Sequence, residues 1–339
     1  MSQDTLIAEL SNICPAGVHQ NVSLAQISRW RIGGIADVIV EPSSLDELCR
    51  LRSFIAQKGL SSIVIGDTSN LLFADEGLRA ICIRMGRKMS SISISGDTVM
   101  AQAGIWVPHF ARRLMQAGLT GAEHTCGIPG TLGGLICMNG GSQRKGIGSA
   151  VVSVTAVDPE GRVFTLDRDA CLFGYRQSVF QGNGAVVAAS KLLFNRAPKP
   201  ESIRREMLSI LRERSRKFPR KQPNCGSVFK SNPEMYADIG PPGAAIEKLG
   251  LKNYRIGDAL ISPCHANFFV NAGKASADDM LRLILYVRDT VCAATGYRME
   301  PEIRYVTLGG QVISIHNAAP PGSFLKYPRY SKRLANGKS

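Results

Sequence analysis

The sequence predicts an α+β fold made of two or three packed units. Strand-like and helix-like segments follow one another without a regular βαβ rhythm, which argues against a doubly wound parallel sheet. The 339 residues exceed the length at which a single hydrophobic core usually stops growing. With 44% apolar and 20% charged residues, the chain can bury a sizeable core, and no run approaches the roughly 18 apolar residues of a membrane span. We therefore expect a soluble globular protein without membrane insertion.

The first predicted unit begins with a polar lead and the strand-like run 36–40. Ser44 and Glu47 have the spacing of a capping box, and Gly59 stands where helices commonly end, so we expect a helix over about 44–58. Further strand-like runs follow at 62–66, 78–84, 91–95 and 98–103. Pro108 then opens a helix with Phe110, Ala111 and Leu114 inward, and Gly118 ends it.

The remaining elements lie on both sides of a break at Pro198 and Pro200. Before it, strand-like runs occupy 163–166 and 185–189, and after it a charged helix is expected at about 200–217. The clearest helix of the last unit starts at Ser276, and its capping partner, apolar stripe and final glycine are Asp279, Met280, Ile284, Val287, Val291 and Gly296.

The net charge of +14 is concentrated in two segments. Residues 199–221 hold nine Lys/Arg against three Asp/Glu, and residues 317–339 hold five against none. Neither segment interleaves aromatic residues for base stacking or has the spacing of a helix-turn-helix or zinc finger, so no nucleic-acid partner is expected. Two interpretations remain: a solvated helix face with a flexible tail, or attraction of a polyanionic small substrate such as a nucleotide diphosphate.

The cysteines and the N-terminus indicate the compartment. Nine cysteines occur without any C-x-x-C pair, and their odd number argues against a zinc site and a disulfide framework. We expect buried reduced thiols and no metal site. The first residues lack the basic region and apolar run of a signal peptide, so the expected location is cytoplasmic.

The densest glycine cluster spans 127–134. Glycines allow a backbone to approach a ligand closely and to turn its N–H groups toward pyrophosphate. The spacing G-x-x-G-x-x-G-G differs from the Rossmann G-x-G-x-x-G, and no P-loop occurs in the sequence. Taken alone, the cluster indicates either a ligand loop or a set of tight turns.

A second loop, 66–72, directly follows a predicted strand and contains hydroxyl and amide groups. Two loops of this kind, some sixty residues apart, predict one extended dinucleotide lying between them. The candidate cofactor-binding residues are Gly66, Asp67, Thr68, Ser69, Asn70, Leu71, Gly127, Ile128, Pro129, Gly130, Thr131, Gly133, Gly134 and Asn139.

Seven motifs occur in the order found in one enzyme family. They are WRIGGIAD at 30–37, GDTSNLL at 66–72, the cluster at 127–139, YRQS at 175–178, GSVFK at 226–230, HANF at 265–268 and EPEIR at 300–304. With these motifs the chain resembles the UDP-N-acetylenolpyruvoylglucosamine reductase family, flavoenzymes that make UDP-N-acetylmuramate for peptidoglycan. It resembles the shorter subgroup, which lacks an insertion with a substrate-clamping tyrosine.

The resemblance implies a domain organisation and cofactors. Residues 1–90 and 91–198 would form the two subdomains of a vanillyl-alcohol-oxidase/PCMH-type FAD-binding module. Residues 203–305 would form a smaller α+β substrate-binding domain. The basic segment 310–339 has no counterpart in the family pattern and is expected from its composition to be a flexible tail. FAD would be bound non-covalently between the two glycine loops, with NADPH as the hydride donor.

The same resemblance implies three catalytic residues. Arg176 would stabilise the negative charge that develops on the substrate carboxylate, because a guanidinium is always charged and can bind a carboxylate bidentately. Ser227 would donate the proton, since a hydroxyl can protonate a carbanion-like enolate in a dry site. Glu302 would help to stabilise or protonate the enolic intermediate; Glu300 lies two residues away, and the Glu-Ile-Arg register favours Glu302.

The substrate-binding candidates are Lys230, Asn232, Tyr175 and Gln222. Lys230 would meet the substrate diphosphate as a point charge. His265 and Asn267 belong to another motif of the family, where a histidine can equally cap and pack.

The sequence departs from the family pattern at several positions. Asp67 and Thr68 stand in a loop that is usually Gly-x-Gly-Ser-Asn, and Ser231 is inserted between the lysine and asparagine of the family's Phe-Lys-Asn-Pro. Asn253 and Asp258 replace frequent glycines. These departures leave the three catalytic residues intact, so they concern substrate choice more than reaction type.

Three functional hypotheses follow. The first is the peptidoglycan reductase itself, with a UDP-sugar and NADPH as partners. The second is a paralogous FAD-dependent oxidoreductase that acts on another nucleotide-sugar or enol ether in surface polysaccharide or secondary metabolism. The third, from a different class, is a flavin- or nucleotide-binding protein without turnover, or a basic nucleic-acid binder.

Overall fold

The computed structural model describes residues 2–318. In this part of the chain the α-helices are α1 (Gln3–Ile13), α2 (Leu24–Ile27), α3 (Leu45–Gln57), α4 (Val107–Gln116), α5 (Leu132–Cys137), α6 (Pro200–Lys217), α7 (Pro233–Asp238), α8 (Pro242–Lys248), α9 (Ala277–Thr295) and α10 (Ile315–Ala318). The strands are β1 (Val18–Ser23), β2 (Ile35–Val40), β3 (Ser62–Ile65), β4 (Leu71–Phe73), β5 (Ile81–Arg84), β6 (Ile92–Ser95), β7 (Thr98–Gln102), β8 (Leu119–Thr120), β9 (Val151–Val157), β10 (Val163–Asp167), β11 (Val186–Leu193), β12 (Asn195–Arg196), β13 (Arg255–Ile256), β14 (Ala259–Ile261), β15 (Phe269–Asn271), β16 (Arg304–Val306) and β17 (Val312–Ser314). Mixed helices and strands confirm the predicted α+β class.

The first sheet has the strand order β1-β2-β5-β3. β1 pairs antiparallel with β2, whereas β2 and β3 pair parallel with β5. Helix α3 packs its buried side chains against the same core as β2 and β5. Its N-cap is Ser44, whose hydroxyl accepts from the backbone N–H of Glu47, as predicted. The Glu47 carboxylate accepts from the N–H of Ser43 and not from that of Ser44, so the second bond of the expected capping box is displaced by one residue.

The second sheet is antiparallel with the order β10-β9-β11-β7-β6. Helix α4 buries Phe110, Ala111 and Leu114, which confirms the predicted inward face. Gly118 follows it with a φ of +71°, a conformation in which glycine avoids the Cβ clash of other residues.

The last unit contains the small sheet β13-β14-β15 and the long helix α9. Ser276 and Asp279 form the predicted capping box, and Gly296 ends the helix with a φ of +80°. The predicted apolar stripe is buried in the core of this unit. These local signals are therefore confirmed.

A strand pairing and a helix cap are among the contacts that join the last unit to the first. Strand β4 pairs parallel with β16, which itself pairs with β17, so the end of the described chain completes a sheet begun by residues 71–73. The carboxylate of Asp75 accepts from the N–H of Ala277 at 2.8 and 2.9 Å and so caps the first turn of α9.

Helix α6 connects the two parts of the chain and confirms the charged helix predicted at about 200–217. Its buried residues Ile203, Met207 and Ile210 pack against Ala111 and Cys126. The apolar face of α6 is therefore covered by the second sheet's unit, and its charged face is exposed. The exact division into domains at 90/91 and 203 stays a prediction.

Two expectations about the chain ends need correction. The polar lead before residue 36 contains α1 and β1, because Leu6 and Leu10 share one face of α1 and pack on the α3 core. The predicted flexible tail does not begin at 310, because β17 and α10 follow and Ile315 is buried in the core. Residues 319–339 of that tail lie outside the described residues.

The cysteines agree only in part with the prediction of buried thiols. All nine are free, and eight of them are buried or partly buried, but Cys264 is exposed. No helix among the described residues has the length and apolar character needed to cross a membrane.

His265 gives this fold a specific sensitivity to acid. Its ring packs edge-on against Phe218 and Phe268, with centroids 5.3 and 5.1 Å away. Burial first, and then the positive charges of Lys217 and Lys252, lower the pKa of His265 from 6.5 to about 4. Between pH 6.5 and about 4, His265 is therefore protonated in the unfolded chain but neutral in the folded protein.

We predict that His265 removes stability as the pH falls through this window. Its contribution is absent above pH 6.5 and grows on acidification by on the order of 1 kcal/mol per pH unit. The His265→Gln variant, which has no titrating ring, should show a shallower loss of unfolding free energy between pH 7 and 5 in urea titrations. Replacement of the exposed His109 by Gln serves as control and should retain the wild-type slope. Equal slopes for wild type and His265→Gln would contradict the prediction.

Candidate active site

An ion pair between the two halves of the chain lies at the centre of the site. Nε of Arg176 is 2.8 Å from Oε1 of Glu302, and both side chains are largely buried, with 22% and 16% of their surfaces exposed. The Nε–H bond does not point toward the carboxylate oxygen, so the contact is an ion pair without a hydrogen bond. The structure thus brings together two of the three predicted catalytic residues, which are 126 positions apart in the sequence.

Arg176 is held in an uncommon backbone conformation. It occupies a tight turn closed by mutual hydrogen bonds of Gly174 and Gln177, and its φ is +56°, which costs energy for a residue with a Cβ. Its carbonyl accepts from Nε2 of Gln181 at 2.9 Å, and its Nη2 donates to the carbonyl of Gly141 at 3.3 Å. These bonds fix the direction in which the guanidinium points.

Burial determines the acidity of Glu302. Removal from water raises the pKa of this carboxyl above its usual value, and the positive charges of Arg176 and Lys230 oppose the rise without cancelling it. Glu302 is therefore more easily protonated than an exposed glutamate. Glu300 does not share this environment, because it is 70% exposed.

Ser227 lies beside Glu302 through backbone pairing. The N–H of Glu302 donates to the carbonyl of Val228 at 2.7 Å, so the segment that carries Ser227 runs next to the segment that carries Glu302. The Ser227 residue is exposed and can meet a ligand. Its position beside Glu302 is compatible with action on the same substrate.

Asn267 holds the segment that carries Ser227 through hydrogen bonds to its backbone. Its side chain accepts from the N–H of Phe229 and donates to the carbonyl of Phe229, both at 2.9 Å. Its backbone carbonyl accepts from the N–H of Val228 at 2.9 Å. The asparagine of the HANF motif thus binds the protein itself in the described structure.

Lys230 and Glu300 form a second ion pair at the edge of the site. Nζ of Lys230 is 2.6 Å from Oε1 of Glu300, and the backbone N–H of Lys230 donates to the carbonyl of Glu300 at 2.9 Å. The structure therefore separates the roles of the two glutamates: Glu302 pairs with Arg176, and Glu300 pairs with Lys230.

The other predicted substrate-binding residues lie around this edge. Oδ1 of Asn232 accepts from the N–H of Glu234 at 2.9 Å and caps α7, so this oxygen is already used. The Tyr175 side chain is exposed, and its hydroxyl accepts from the N–H of Ser231 at 3.1 Å. Gln222 is half-buried, and its backbone carbonyl accepts from Nδ2 of Asn224.

The two predicted cofactor loops pack against each other. A Cβ added at Gly66 would collide with Oγ1 of Thr131, and one added at Gly130 would lie 3.4 Å from Oγ of Ser69. Gly130 also has a φ of +153°. The loops are thus adjacent in space, and glycine is required where they approach most closely.

Several side chains of these loops are used to shape the loops themselves. Asp67 forms an ion pair with Arg29. Oγ1 of Thr68 accepts from the N–H of Arg29 at 3.1 Å and lies 3.3 Å from the carbonyl of Ile27. Asn139 donates to the carbonyl of Gly174 at 2.8 Å and accepts from the N–H of Gly148 at 2.9 Å. Their polar atoms are therefore satisfied within the protein.

Most of the loop donors that remain are backbone groups. In the described part of the chain, the N–H groups of residues 67–70 and of Gly130 donate to no protein acceptor. Because they lie in two adjacent loops, these N–H groups are available to an anion such as a pyrophosphate.

Helix α6 contributes to the glycine cluster in a way that the sequence did not reveal. A Cβ at Gly127 would lie 2.6 Å from Cδ of Arg214, and the Arg214 guanidinium stacks over Phe218 at 4.9 Å. Gly127 thus leaves the space that the Arg214 side chain of α6 occupies. The supporting roles of Gln181 and Arg29 were also missed, because each depends on a contact between segments that the sequence does not place together.

Comparisons with known proteins identify both halves of the chain. Residues 218–306 match the family described as UDP-N-acetylenolpyruvoylglucosamine reductase, C-terminal domain, and residues 36–167 match the FAD binding domain family. UDP-N-acetylenolpyruvoylglucosamine reductase 1 of Corynebacterium glutamicum is 45% identical over 298 residues, which cover 88% of this chain and 89% of that protein. The reductase of Synechococcus sp. WH7803 is 38% identical over 85% of this chain and 92% of its own.

A solved structure gives the same result. The crystal structure of the UDP-N-acetylenolpyruvylglucosamine reductase from Thermus caldophilus matches with a TM-score of 0.72 and 30% identity, over 84% of this chain and 97% of that one. The resemblance seen in the motifs and the predicted FAD-binding module are confirmed, whereas membership of the shorter subgroup stays a prediction. On these grounds, the chain belongs to the UDP-N-acetylenolpyruvoylglucosamine reductase family.

Proposed function

We propose that this protein reduces the enolpyruvyl ether of UDP-N-acetylglucosamine enolpyruvate to UDP-N-acetylmuramate, with NADPH as the reductant and FAD as the cofactor. The observation that carries the proposal is the largely buried Arg176–Glu302 pair next to the Ser227 segment, in a chain 45% identical to a reductase of this name. The reaction supplies a peptidoglycan precursor in the cytoplasm and would thereby serve cell-wall biogenesis, cell shape and cell division.

The loops 66–71 and 127–134 fit a bound FAD. Their adjacency and their free backbone donors suit a pyrophosphate, and the glycines at 66 and 130 allow the two loops to approach closely. These loops would hold FAD, whose chemistry would be the transfer of a hydride from NADPH to the methylene carbon of the enolpyruvyl group. The protein's part is to bind the cofactor non-covalently, through backbone groups of the candidate residues named above.

Arg176 would bind the carboxylate of the enolpyruvyl group. Negative charge grows on this carboxylate and on the adjacent carbon as the reaction proceeds, and a guanidinium fixed by its own backbone turn would stabilise that charge. In the described structure Glu302 satisfies the charge of Arg176. The pair would therefore be shared with, or opened by, the substrate carboxylate.

Ser227 and Glu302 would complete the reaction at the carbon that carries the carboxylate. The hydroxyl of Ser227 would donate its proton to the enolic intermediate, within hydrogen-bond reach of that carbon. Glu302, whose pKa is raised by burial, would stabilise the enol or hold a proton at its carboxyl group.

The edge of the site would bind the nucleotide part of the substrate. Lys230 offers a positive charge for the diphosphate, with Asn232, Gln222 and Tyr175 nearby in the chain or in space. The exposed charged face of α6 would raise the local concentration of such an anionic substrate.

A paralogous reductase acting on another nucleotide-sugar is the second candidate. The observation that favours it is the inserted Ser231, because it changes the segment between Lys230 and Asn232 that would meet the diphosphate. The two are distinguished by anaerobic reduction of the purified protein with NADPH, followed by addition of UDP-N-acetylglucosamine enolpyruvate. Rapid return of the oxidised flavin spectrum supports the first proposal, and an unchanged reduced spectrum refutes it.

We predict that Gly66→Ala weakens flavin binding. The new Cβ would collide with Thr131, so the two loops must separate and their N–H groups would move apart. The flavin-to-protein ratio after gel filtration, read from the absorbance spectrum of acid-released flavin, should fall several-fold. Gly182→Ala is the matched control, because a Cβ there meets no atom within 4 Å. Wild-type flavin content in Gly66→Ala would contradict the proposed placement.

We predict that Ser227→Ala separates the two half-reactions. Flavin reduction by NADPH needs no proton for the sugar product, so stopped-flow reduction should retain its rate. Reoxidation by the enolpyruvyl nucleotide needs that proton and should slow by roughly 10² to 10⁴. Equal slowing of both steps would indicate a structural role for Ser227.

We predict that Lys230→Ala raises the KM for the enolpyruvyl nucleotide by more than it lowers kcat. The diphosphate is remote from the reacting carbon, so its contact contributes equally to ground and transition states. The KM should also become less dependent on salt, because one screened attraction is lost. Lys58→Ala, an exposed lysine in α3's C-cap, is the control. A fall in kcat alone would place Lys230 at the reacting carbon instead.

A further inference from the structure

Tyr175 lies between two functional segments and contacts both. Its ring stacks under the guanidinium of Arg176, with Cζ 5.5 Å from the ring centroid. Its hydroxyl accepts a hydrogen bond of 3.1 Å from the backbone N–H of Ser231. Since Ser231 directly follows Lys230, one side chain connects the proposed carboxylate-binding residue with the proposed diphosphate-binding segment.

The segment 230–232 is held on both sides of this contact. Lys230 pairs with Glu300 at 2.6 Å, and Asn232 caps α7. Between these residues, the N–H of Ser231 donates to the hydroxyl of Tyr175 and so joins the last unit to the unit that contains Tyr175. The inserted residue therefore places a backbone donor opposite Tyr175.

A second contact between an arginine and a tyrosine lies close to that of Tyr175. The guanidinium of Arg144 lies 5.7 Å from the ring centroid of Tyr236 in α7, and the loop of Arg144 also contains Gly141, whose carbonyl binds Arg176. Two aromatic side chains thus join the loops of the FAD-binding part to the 231–236 segment. This line of contacts runs beside the Arg176–Glu302 pair.

We propose that Tyr175 is a positioning residue that couples Arg176 to the 230–232 segment, with Ser231 supplying the donor. The inference rests on the proposed function, because it assigns a task within the same substrate site. The hydroxyl holds the diphosphate-binding segment in place for substrate binding, and the ring orients the guanidinium for the reaction. The two halves of the side chain therefore act on different kinetic constants.

This division follows from what each contact can influence. A tether on the 230–232 segment affects the diphosphate equally in ground and transition states, so its loss raises KM. A change in the direction of Arg176 affects charge that grows only in the transition state, so its loss lowers kcat. One neutral hydrogen bond is worth about threefold to tenfold in binding.

The test is a double-mutant cycle on the complete FAD-loaded protein, with UDP-N-acetylglucosamine enolpyruvate and NADPH. Tyr175→Phe keeps the ring and removes the acceptor, and should raise KM about threefold to tenfold at nearly constant kcat. Ser231→Pro removes the donor and should raise KM similarly. The double variant should show no more than the larger single effect, because both changes break one bond. Tyr175→Leu should in addition lower kcat.

Controls separate this coupling from general damage. Tyr236→Phe removes a hydroxyl from the same surface without changing the 230–232 segment, and it should retain the wild-type KM. Flavin content and Tm are measured for every variant. An unchanged KM in Tyr175→Phe, or effects of Tyr175→Phe and Ser231→Pro that multiply, overturns the coupling. Failure of the wild-type protein to use the nucleotide would refute the proposed function instead, so the two outcomes remain distinct.

Discussion

The parallel pairing of β4 with β16 is the constraint on which the site depends. β4 follows the loop 66–70, and β16 follows the segment that carries Glu302. Because the strands are parallel, both preceding segments must lie at the same end of the sheet. The N–H of Arg304 donates to the carbonyl of Asn70 and fixes the register. Two residues more than 230 positions apart are thereby held in one place, and a proposed cofactor loop adjoins a proposed catalytic carboxylate.

The Arg176–Glu302 pair is better explained by function than by stability. Taking two charges out of water costs energy that their attraction recovers only in favourable geometry, and here the Nε–H group is poorly aligned with the carboxylate. Arg176 also carries the cost of a positive φ. Strain and buried charge concentrated on one residue pair are typical of sites whose charges await a ligand.

The parts of the fold that the sequence predicted are those determined by neighbouring residues. The helix from Ser276 to Gly296 needs only its caps and its apolar stripe, so its limits could be read directly. The β4–β16 pairing and the contact of Arg214 with Gly127 depend on distant segments, and no local pattern specifies them. The proposed catalytic residues were assigned through motifs, since neither charge nor spacing could show that Glu302, and not Glu300, meets Arg176.

The departure from glycine in the loop 66–70 has a physical explanation. Thr68 has a φ of +54°, a conformation that strongly disfavours a β-branched residue. Its hydroxyl offsets this cost through contacts with the backbone of Arg29 and Ile27, while Asp67 turns its carboxylate to Arg29. Both side chains are thus bound by the segment that precedes the Trp-Arg-Ile-Gly-Gly motif, which leaves the backbone N–H groups of the loop free. The backbone N–H groups of the loop therefore stay accessible, as they would with glycine at these positions, because the Arg29 segment binds the side chains of Asp67 and Thr68.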